Sequence, residues 1–440
     1  MQNPIAIIGA GISGSEAAWQ LAEAGFQVHL FEMRPEFQTE AHQSGDAAEL
    51  VCSNSFKSLD IGNAHGALKA ELLEAGSLVL KMALEQRVPA GSALAVDKAG
   101  FSKAIQRALT EHPNITWVHQ QVGDVDKLTA DYQSIIIASG PLTPAPLSDW
   151  LSGILGDKGL YFYDAIAPVV FAESINLEVA FRGSRYGKSG DDYINCPMDH
   201  QQYDRFFEAL LGSEKVPFKD FEKAKHFEGC LPIEVMAARG PQTLTFGPFK
   251  PVGLESPVTG RRFYAVTQLR QENSSGSLYN MVGCQTRMTH PEQQKVFRMI
   301  PGLENAEFAR LGSMHRNSFI NAPTHLDAGL RLKSHPNIQI AGQMTGAEGY
   351  TEAVGTGFWA AFCLIRELRG QKPLHPGPNT MLGGLLGHLQ NASKDNFQPM
   401  NANWGLVDTP RRPKKVSKQD FRTELAEAGL VHFRQMLSEQ

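Results

Sequence analysis

The chain has 440 residues, of which 42% are hydrophobic and 20% charged, and its formal net charge is −5. That composition is ordinary for a globular enzyme of two or three domains, and the charge excludes a protein that grips nucleic acid with its whole surface. The first apolar run is short and lacks a charged flank, and no run approaches the ~20 apolar residues of a membrane span, so the expected setting is the cytoplasm, with no membrane and no DNA partner.

Ile5 to Ile8 predicts a buried parallel strand. Gly9-Ala10-Gly11-Ile12-Ser13-Gly14 follows it and matches G-x-G-x-x-G. Glu16 to Glu23 predicts a helix with Ala17, Ala18, Leu21 and Ala22 on one face, and Val28 to Phe31 a second strand that ends at Glu32. The first glycine of such a motif permits the tight turn, the second lets backbone approach a pyrophosphate, and the third lets helix and strand pack closely. The helix N-terminus offers free N–H groups to phosphates, and Glu32 can accept the ribose hydroxyls of an adenosine. A glycine motif alone also describes an ordinary strand-to-helix turn, but here strand, helix and acid stand together at the required spacing. Its place at the N-terminus favours a tightly held FAD over exchangeable NAD(P), and an acid at Glu32 disfavours a 2′-phosphate.

Residues 33–63 show no sustained period and read as a long loop, which in a compact domain signals function or disorder. The loop carries Cys52 among small polar residues. Residue type alone favours a buried inert thiol there, and the position near the cofactor-facing strand ends favours a reactive one. Ala67 to Leu84 predicts one helix, residues 87–97 a strand, Phe101 to His112 a helix, and Ile115 to Val118 and Ser134 to Ala138 two more strands. The last ends in Ser139-Gly140-Pro141, a second place where backbone can approach a dinucleotide.

Residues 161–304 turn aromatic and proline-rich and predict an inserted domain of mixed α and β, leaving 1–160 and 305–440 as a discontinuous FAD-binding domain. Within the insertion Cys230 stands between Gly229 and Leu231-Pro232, in neither helix nor mid-strand. Ile338 to Gly342 predicts a strand, followed by Gln343, a glycine turn through Gly346, and a helix reaching Leu368. That order fits a late flavin-contacting segment whose helix N-terminus stabilises negative charge on a reduced flavin. After Gln371 the chain is rich in Pro, Gly and Asn and ends in a helix from Gln419 to Leu437. The predicted fold class is α/β, a Rossmann-type FAD-binding domain with an inserted mixed α/β domain.

Five cysteines without a CxxC pair argue against a disulfide framework and against a structural zinc site. The run Arg411-Arg412-Pro413-Lys414-Lys415, with Lys418 and Arg422, is either a local RNA contact or a solvated tail. Arg182, Arg185 and Lys188 can extend it into a basic face.

The segments GAGISGSEAAWQLAEAG, FEMRP, AELVCSNSFKS, FEGCLPIEVMAARG, MHRNSFIN and AGQMTGAEGYTEA resemble, in order and over most of the chain, the folate- and FAD-dependent tRNA uracil-5 methyltransferase family. The first and last are shared with larger relatives of the glucose-inhibited division protein A type, whereas the Cys52 and Cys230 blocks favour the methyltransferase branch. The resemblance implies a one-carbon unit taken from 5,10-methylenetetrahydrofolate, by way of reduced FAD, to C5 of a T-loop uridine in tRNA, with NAD(P)H as reductant. It implies Cys230 as the thiolate that adds to uridine C6 and Cys52 as the thiol near the flavin, with the swapped roles as the alternative. His315 and Tyr350 are candidates for stacking on the pterin, and Asn54 and Arg270 for hydrogen bonds to substrate. Three other readings stay open: the same chemistry on ribosomal RNA, a flavin oxidoreductase without RNA, and a non-catalytic flavin-bound scaffold.

Overall fold

The computed structural model describes residues 3–39, 41–156, 160–187, 190–216 and 231–439, with backbone alone at 160–164, 314–316 and 396. Its centre is the fully apolar strand Ile5–Ile8, buried along its whole length. Val28–Glu32 and Ser134–Ile137 flank it in parallel, with Val28 and Ser134 both opposite Ile5. Ile115–His119 extends one side of the sheet and His335–Ile340 the other, and Arg331–Leu332 closes the latter edge antiparallel. Parallel strands covered on both faces read as unbroken apolar runs rather than as alternation, which is why Ile5–Ile8 and Ser134–Ile137 are legible in the sequence. The chain crosses from one side of the central strand to the other, and the crevice at such a switch point is where α/β sheets bind ligands.

The first helix runs Ile12–Glu23 and so begins inside the glycine motif, not at Glu16. Two close approaches require its small residues. Gly9 sits at φ +103°, and a Cβ on Gly14 would lie 1.9 Å from the Gly9 carbonyl oxygen. On the other side the helix meets Tyr350–Leu368, where a Cβ on Gly357 would lie 2.4 Å from the Ser13 carbonyl oxygen.

Three local expectations are corrected. The single helix expected from Ala67 to Leu84 is two, Ala64–Glu74 and Leu78–Glu85. Gly76 at φ +73° turns the chain, and the Ser77 hydroxyl caps the second helix by accepting the Leu80 N–H. Glu16, wholly buried, accepts from the Ser77 hydroxyl at 2.8 Å and the Val79 N–H at 3.2 Å. The loop after Glu32 contains a strand, Ser55–Ser58, paired with Ala93–Val96. A further helix, Met381–Asn391, follows Gln371; its three glycines hide the helical pattern. The Glu71 carboxylate holds its N-terminus, accepting from Met381 N–H at 2.7 Å and Leu382 N–H at 2.8 Å.

A second sheet is antiparallel throughout, in the order Phe181–Arg182, Tyr193–Met198, Ala265–Gln271, Leu278–Met281, Val169–Phe171, Phe308–Arg310. It has its own core, in which Tyr203, Phe206 and Leu210 of helix His200–Gly212 meet Val296 and Phe297. A two-stranded ribbon, Leu160–Ala165 with Met314–Phe319, lies where the chain leaves and re-enters the first lobe. No helix among the described residues is long and apolar enough to cross a membrane.

Gly357→Ala drives a methyl group against the Ser13 backbone. Its expected cost is roughly 2 kcal/mol, the usual scale for overpacking a tight contact. Chemical denaturation checks this: an unchanged midpoint means the two helices do not need the close approach.

Candidate functional site

A cleft opens at the carboxyl ends of Ile5–Ile8, Val28–Glu32 and Ser134–Ile137. Gly9, Gly11, Ile12, Ser13, Glu32, Gly140, Gln343 and Tyr350 all line it. Ala10, Gly14, Gly342 and Gly346, also expected at the cofactor, are not among its lining residues. An adjoining cleft of about 820 Å³ shares Met33, Gln121, Pro141 and Leu142 with it. Two helix N-termini point into the space. No side chain caps either Gly11, before Ile12–Glu23, or Gly349, before Tyr350–Leu368. A Cβ built on Gly11 would meet nothing within 4 Å, so this backbone is open to a ligand. Uncapped N–H groups at the positive end of a helix dipole suit a diphosphate at the first helix and developing negative charge at the second.

Glu32 is 5% exposed. It accepts from the Ala10 N–H at 3.0 Å, and Arg34 reaches both its oxygens, with Nε at 2.9 Å and Nη2 at 3.0 Å. Burial pushes the carboxyl up, but the Arg34 hydrogen bonds and charge outweigh it and hold Glu32 below the usual carboxylate range. The Arg34 N–H also donates to Glu32 Oε1 at 3.0 Å, so Glu32 is an anion whose two oxygens each already accept two bonds, and a ribose hydroxyl would have to replace or share one of them. Arg34 also reaches Glu49 at 3.2 Å. Neither residue is among the sequence candidates; the only signal was a base two positions past the acid.

Cys52 is half-buried and directly follows Val51, which lines this cleft together with Tyr350. The Tyr350 hydroxyl accepts from the Cys52 N–H at 2.9 Å and the Ser53 N–H at 3.3 Å. Arg310 donates to the Val51 and Cys52 carbonyls, each at 3.3 Å. The loop is thus gripped from both lobes. Asn54, expected to meet substrate, is wholly buried: its amide donates to the Val96 and Gln271 carbonyls at 3.0 and 2.9 Å and accepts from Arg270 Nε at 3.1 Å. Asn54 and Arg270 here fasten the inserted sheet to the Cys52 loop, a job that leaves Asn54 no face toward the cleft. His315 lies on the ribbon strand opposite Asp164, and its side chain is outside the described residues.

Cys230 also lies outside the described residues. The segment just after it is well anchored: Leu231 and Ile233 are buried, and the Ile233 N–H donates to the Gln285 carbonyl at 2.7 Å. The other thiols behave as packed hydrophobes. Burial pushes Cys196 and Cys284 far up, and Cys363 up to about 12. Among the described cysteines Cys52 is the one beside the cleft.

The helix Tyr350–Leu368 carries Glu352 in its first turn, 1% exposed. It lies 3.1 Å from His65 Nδ1 and accepts from the Ala402 N–H at 2.8 Å. Burial pushes this carboxyl up, yet His65 and the nearby Lys57 charge overcome it and bring it down to about 2.

These observations define a class: a Rossmann-type dinucleotide-binding α/β protein with an inserted antiparallel lobe and a cysteine at the edge of the cleft. A family model described as glucose inhibited division protein A matches residues 4–372. The methylenetetrahydrofolate–tRNA-(uracil-5-)-methyltransferase TrmFO of Geobacter sulfurreducens is 52% identical over 432 residues, covering 98% of each chain. The protein of the same name from Heliobacterium modesticaldum is 52% identical over 402 residues, 91% of each chain. A crystal structure of Aquifex aeolicus GidA superposes with a TM-score of 0.69 at 14% identity, covering 100% of this chain and 75% of that one. The chain belongs to the methylenetetrahydrofolate–tRNA-(uracil-5-)-methyltransferase family, the branch expected from the cysteine blocks, and its fold is the expected α/β one.

Glu352 has a folded pKa below its unfolded value, so its contribution to stability is fully present above the ordinary carboxylate range and is lost as pH falls toward 2. Glu352→Gln therefore lowers stability near pH 6 by about 3 kcal/mol, and the gap to the wild type closes as pH drops below 4. Denaturation at pH 6 and pH 3 checks this, and a gap independent of pH contradicts it.

Proposed function

We propose that the protein transfers a one-carbon unit from 5,10-methylenetetrahydrofolate, by way of reduced FAD, to C5 of a T-loop uridine in tRNA, with NAD(P)H as the reductant. The observation that carries the reading is the position of Cys52, held at the edge of the dinucleotide cleft by Tyr350 from one lobe and Arg310 from the other. The names of the relatives supply the substrate class. Such work belongs in the cytoplasm.

The cleft fits FAD. Gly11 leaves backbone room for the pyrophosphate, the first-turn N–H groups of Ile12–Glu23 bind it, and Glu32 takes the ribose hydroxyls in exchange for one of its bonds from Arg34. Gln343 and the N-terminus of Tyr350–Leu368 stand at the far end of the same cleft, where the ring system goes. When bound, FAD carries the one-carbon unit and supplies the hydride that turns it into a methyl group.

The chain's own groups do the rest. Uracil C5 is a poor nucleophile, and a thiolate adding at C6 turns it into an enolate able to attack a methylene electrophile. Cys230 takes that role. Loss of the C5 proton breaks the bond between the one-carbon unit and its carrier and leaves an exocyclic methylene on the ring; hydride addition to that methylene gives the methyl group, expels the Cys230 thiolate and restores the ring. Cys52, held beside the cleft, is the group placed to accept the C5 proton, which it does as the thiolate. Tyr350, whose hydroxyl holds the Cys52 backbone, presents its ring next to Phe56, with centroids 5.6 Å apart. The uridine must leave its stack to reach these groups, which is cheaper in a loop than in a helix.

For RNA docking the exposed run 411–415 is the strongest part of the expected basic face. Arg185 is engaged internally, with Nε 2.9 Å from Gln268 Oε1 and Nη1 2.9 Å from the Val252 carbonyl. Arg182 lies over the Tyr279 ring at 5.9 Å. Lys188 is outside the described residues.

The test is methyl transfer with purified FAD-loaded protein, a tRNA transcript, labelled methylenetetrahydrofolate and NADPH. Label is expected as 5-methyluridine in the T-loop for the wild type and absent for Cys230→Ala. Label found only on a ribosomal RNA transcript, or on neither RNA, contradicts the reading.

A further inference from the structure

Cys52 has a cation beside it that the chemistry above does not use. The strands Ser55–Ser58 and Ala93–Val96 pair antiparallel, with Ser55 opposite Ala95. The pairing runs one residue further: the Val96 N–H donates to the Asn54 backbone carbonyl at 2.9 Å, and the Asn54 side-chain amide donates to the Val96 carbonyl at 3.0 Å. Two residues beyond that pair, the two chains carry Cys52 and Lys98. Lys98 opens the helix Lys98–Glu111, and its Nζ lies 2.6 Å from Glu272 Oε1. Glu272 is 7% exposed on its side chain and follows the inserted-sheet strand Ala265–Gln271 directly. Burial draws the Lys98 ammonium down, Glu272 supports it and Arg310 opposes it.

We propose that Lys98 is a positioning residue for Cys52, holding its thiol as the thiolate, and that Glu272 of the inserted lobe sets how much of that positive charge Cys52 receives. Four charged or titratable groups face the loop. Lys98 comes from its helix, Arg310 from the strand Phe308–Arg310 through the Val51 and Cys52 carbonyls, Glu272 from the end of Ala265–Gln271, and the Tyr350 hydroxyl from the late helix. The two cations favour the thiolate and the carboxylate disfavours it. All four come from different elements, and two belong to the inserted lobe, so the thiol acquires its charge state only when the lobes are docked. This gives the Cys52 of the proposed function its reactivity, and it is tested without tRNA or folate, so failure of the methylation reading leaves it standing.

The experiment is the pH dependence of Cys52 alkylation by iodoacetamide in FAD-loaded protein carrying Cys230→Ala, read by mass spectrometry of the Cys52 peptide. Lys98→Met should move the midpoint to higher pH and slow alkylation near neutral pH about tenfold. Lys98→Arg should keep the wild-type profile. Glu272→Gln should do the opposite of Lys98→Met, lowering the midpoint and speeding alkylation, because it removes the competing anion. A merely structural tie makes Lys98→Met and Glu272→Gln shift alike, and that outcome overturns the proposal. Where Lys98→Met fails to fold, the near-isosteric Glu272→Gln still decides: an unchanged or raised midpoint overturns it.

Discussion

The contact on which the structure depends is the crossing of two helices at bare backbone. Ile12–Glu23 and Tyr350–Leu368 are separated by more than 300 positions, yet Gly357 rests against the Ser13 carbonyl with no room for a methyl group. The crossing brings both uncapped N-termini to one cleft, at the carboxyl ends of the parallel strands. The chain makes a long excursion through the antiparallel lobe between these helices. Late and early segments must therefore be docked before the dinucleotide cleft exists, and the small residues at the crossing are what permits it.

The second constraint is the loop around Cys52. Backbone groups of residues 51–54 bond to Tyr350, Arg310 and Val96, and the Asn54 side chain adds Gln271 and Arg270. Asp97 joins the same seam by accepting from the Ser274 N–H at 2.8 Å and its hydroxyl at 2.7 Å. Much of this bonding is to buried main chain, where a missing partner costs more than the bond itself gains. The Cys52 backbone is thereby fixed relative to the cleft and to the inserted lobe at once, which is what the proton-accepting role proposed for Cys52 requires.

The parts legible in the sequence are those whose physics is local. Ile5–Ile8, the glycine turn and Glu32 lie within one short stretch, and their spacing alone dictates strand, turn, helix and acid. The late turn at Gly342–Gly346 and its helix are legible for the same reason. The helix break at Gly76 was not, because Leu68, Leu72, Val79 and Leu80 keep an apolar pattern across it, and the Ser77 cap that decides it is held in place by Glu16 from another element. Met381–Asn391 was hidden by glycines that its packing, not its propensity, makes acceptable. At the site, Lys98, Glu272 and Arg310 were invisible for one reason: each acts on a residue that only the tertiary fold brings near, whereas Arg34 lies two positions from Glu32 and carries only the local signal of a base after an acid. Asn54 was noticed as a polar residue near a cysteine, but its burial, and hence its fastening role, follows from lobe docking.

The most direct test is the structure of the protein with its cofactor, read as the distance from Cys52 Sγ to the isoalloxazine ring. The account predicts the pyrophosphate on the N–H groups of residues 12–14, the ribose on Glu32, and Cys52 Sγ in van der Waals contact with the ring, at about 4 Å. A dinucleotide bound elsewhere, or a Cys52 thiol turned away from the ring with a side chain between them, contradicts it.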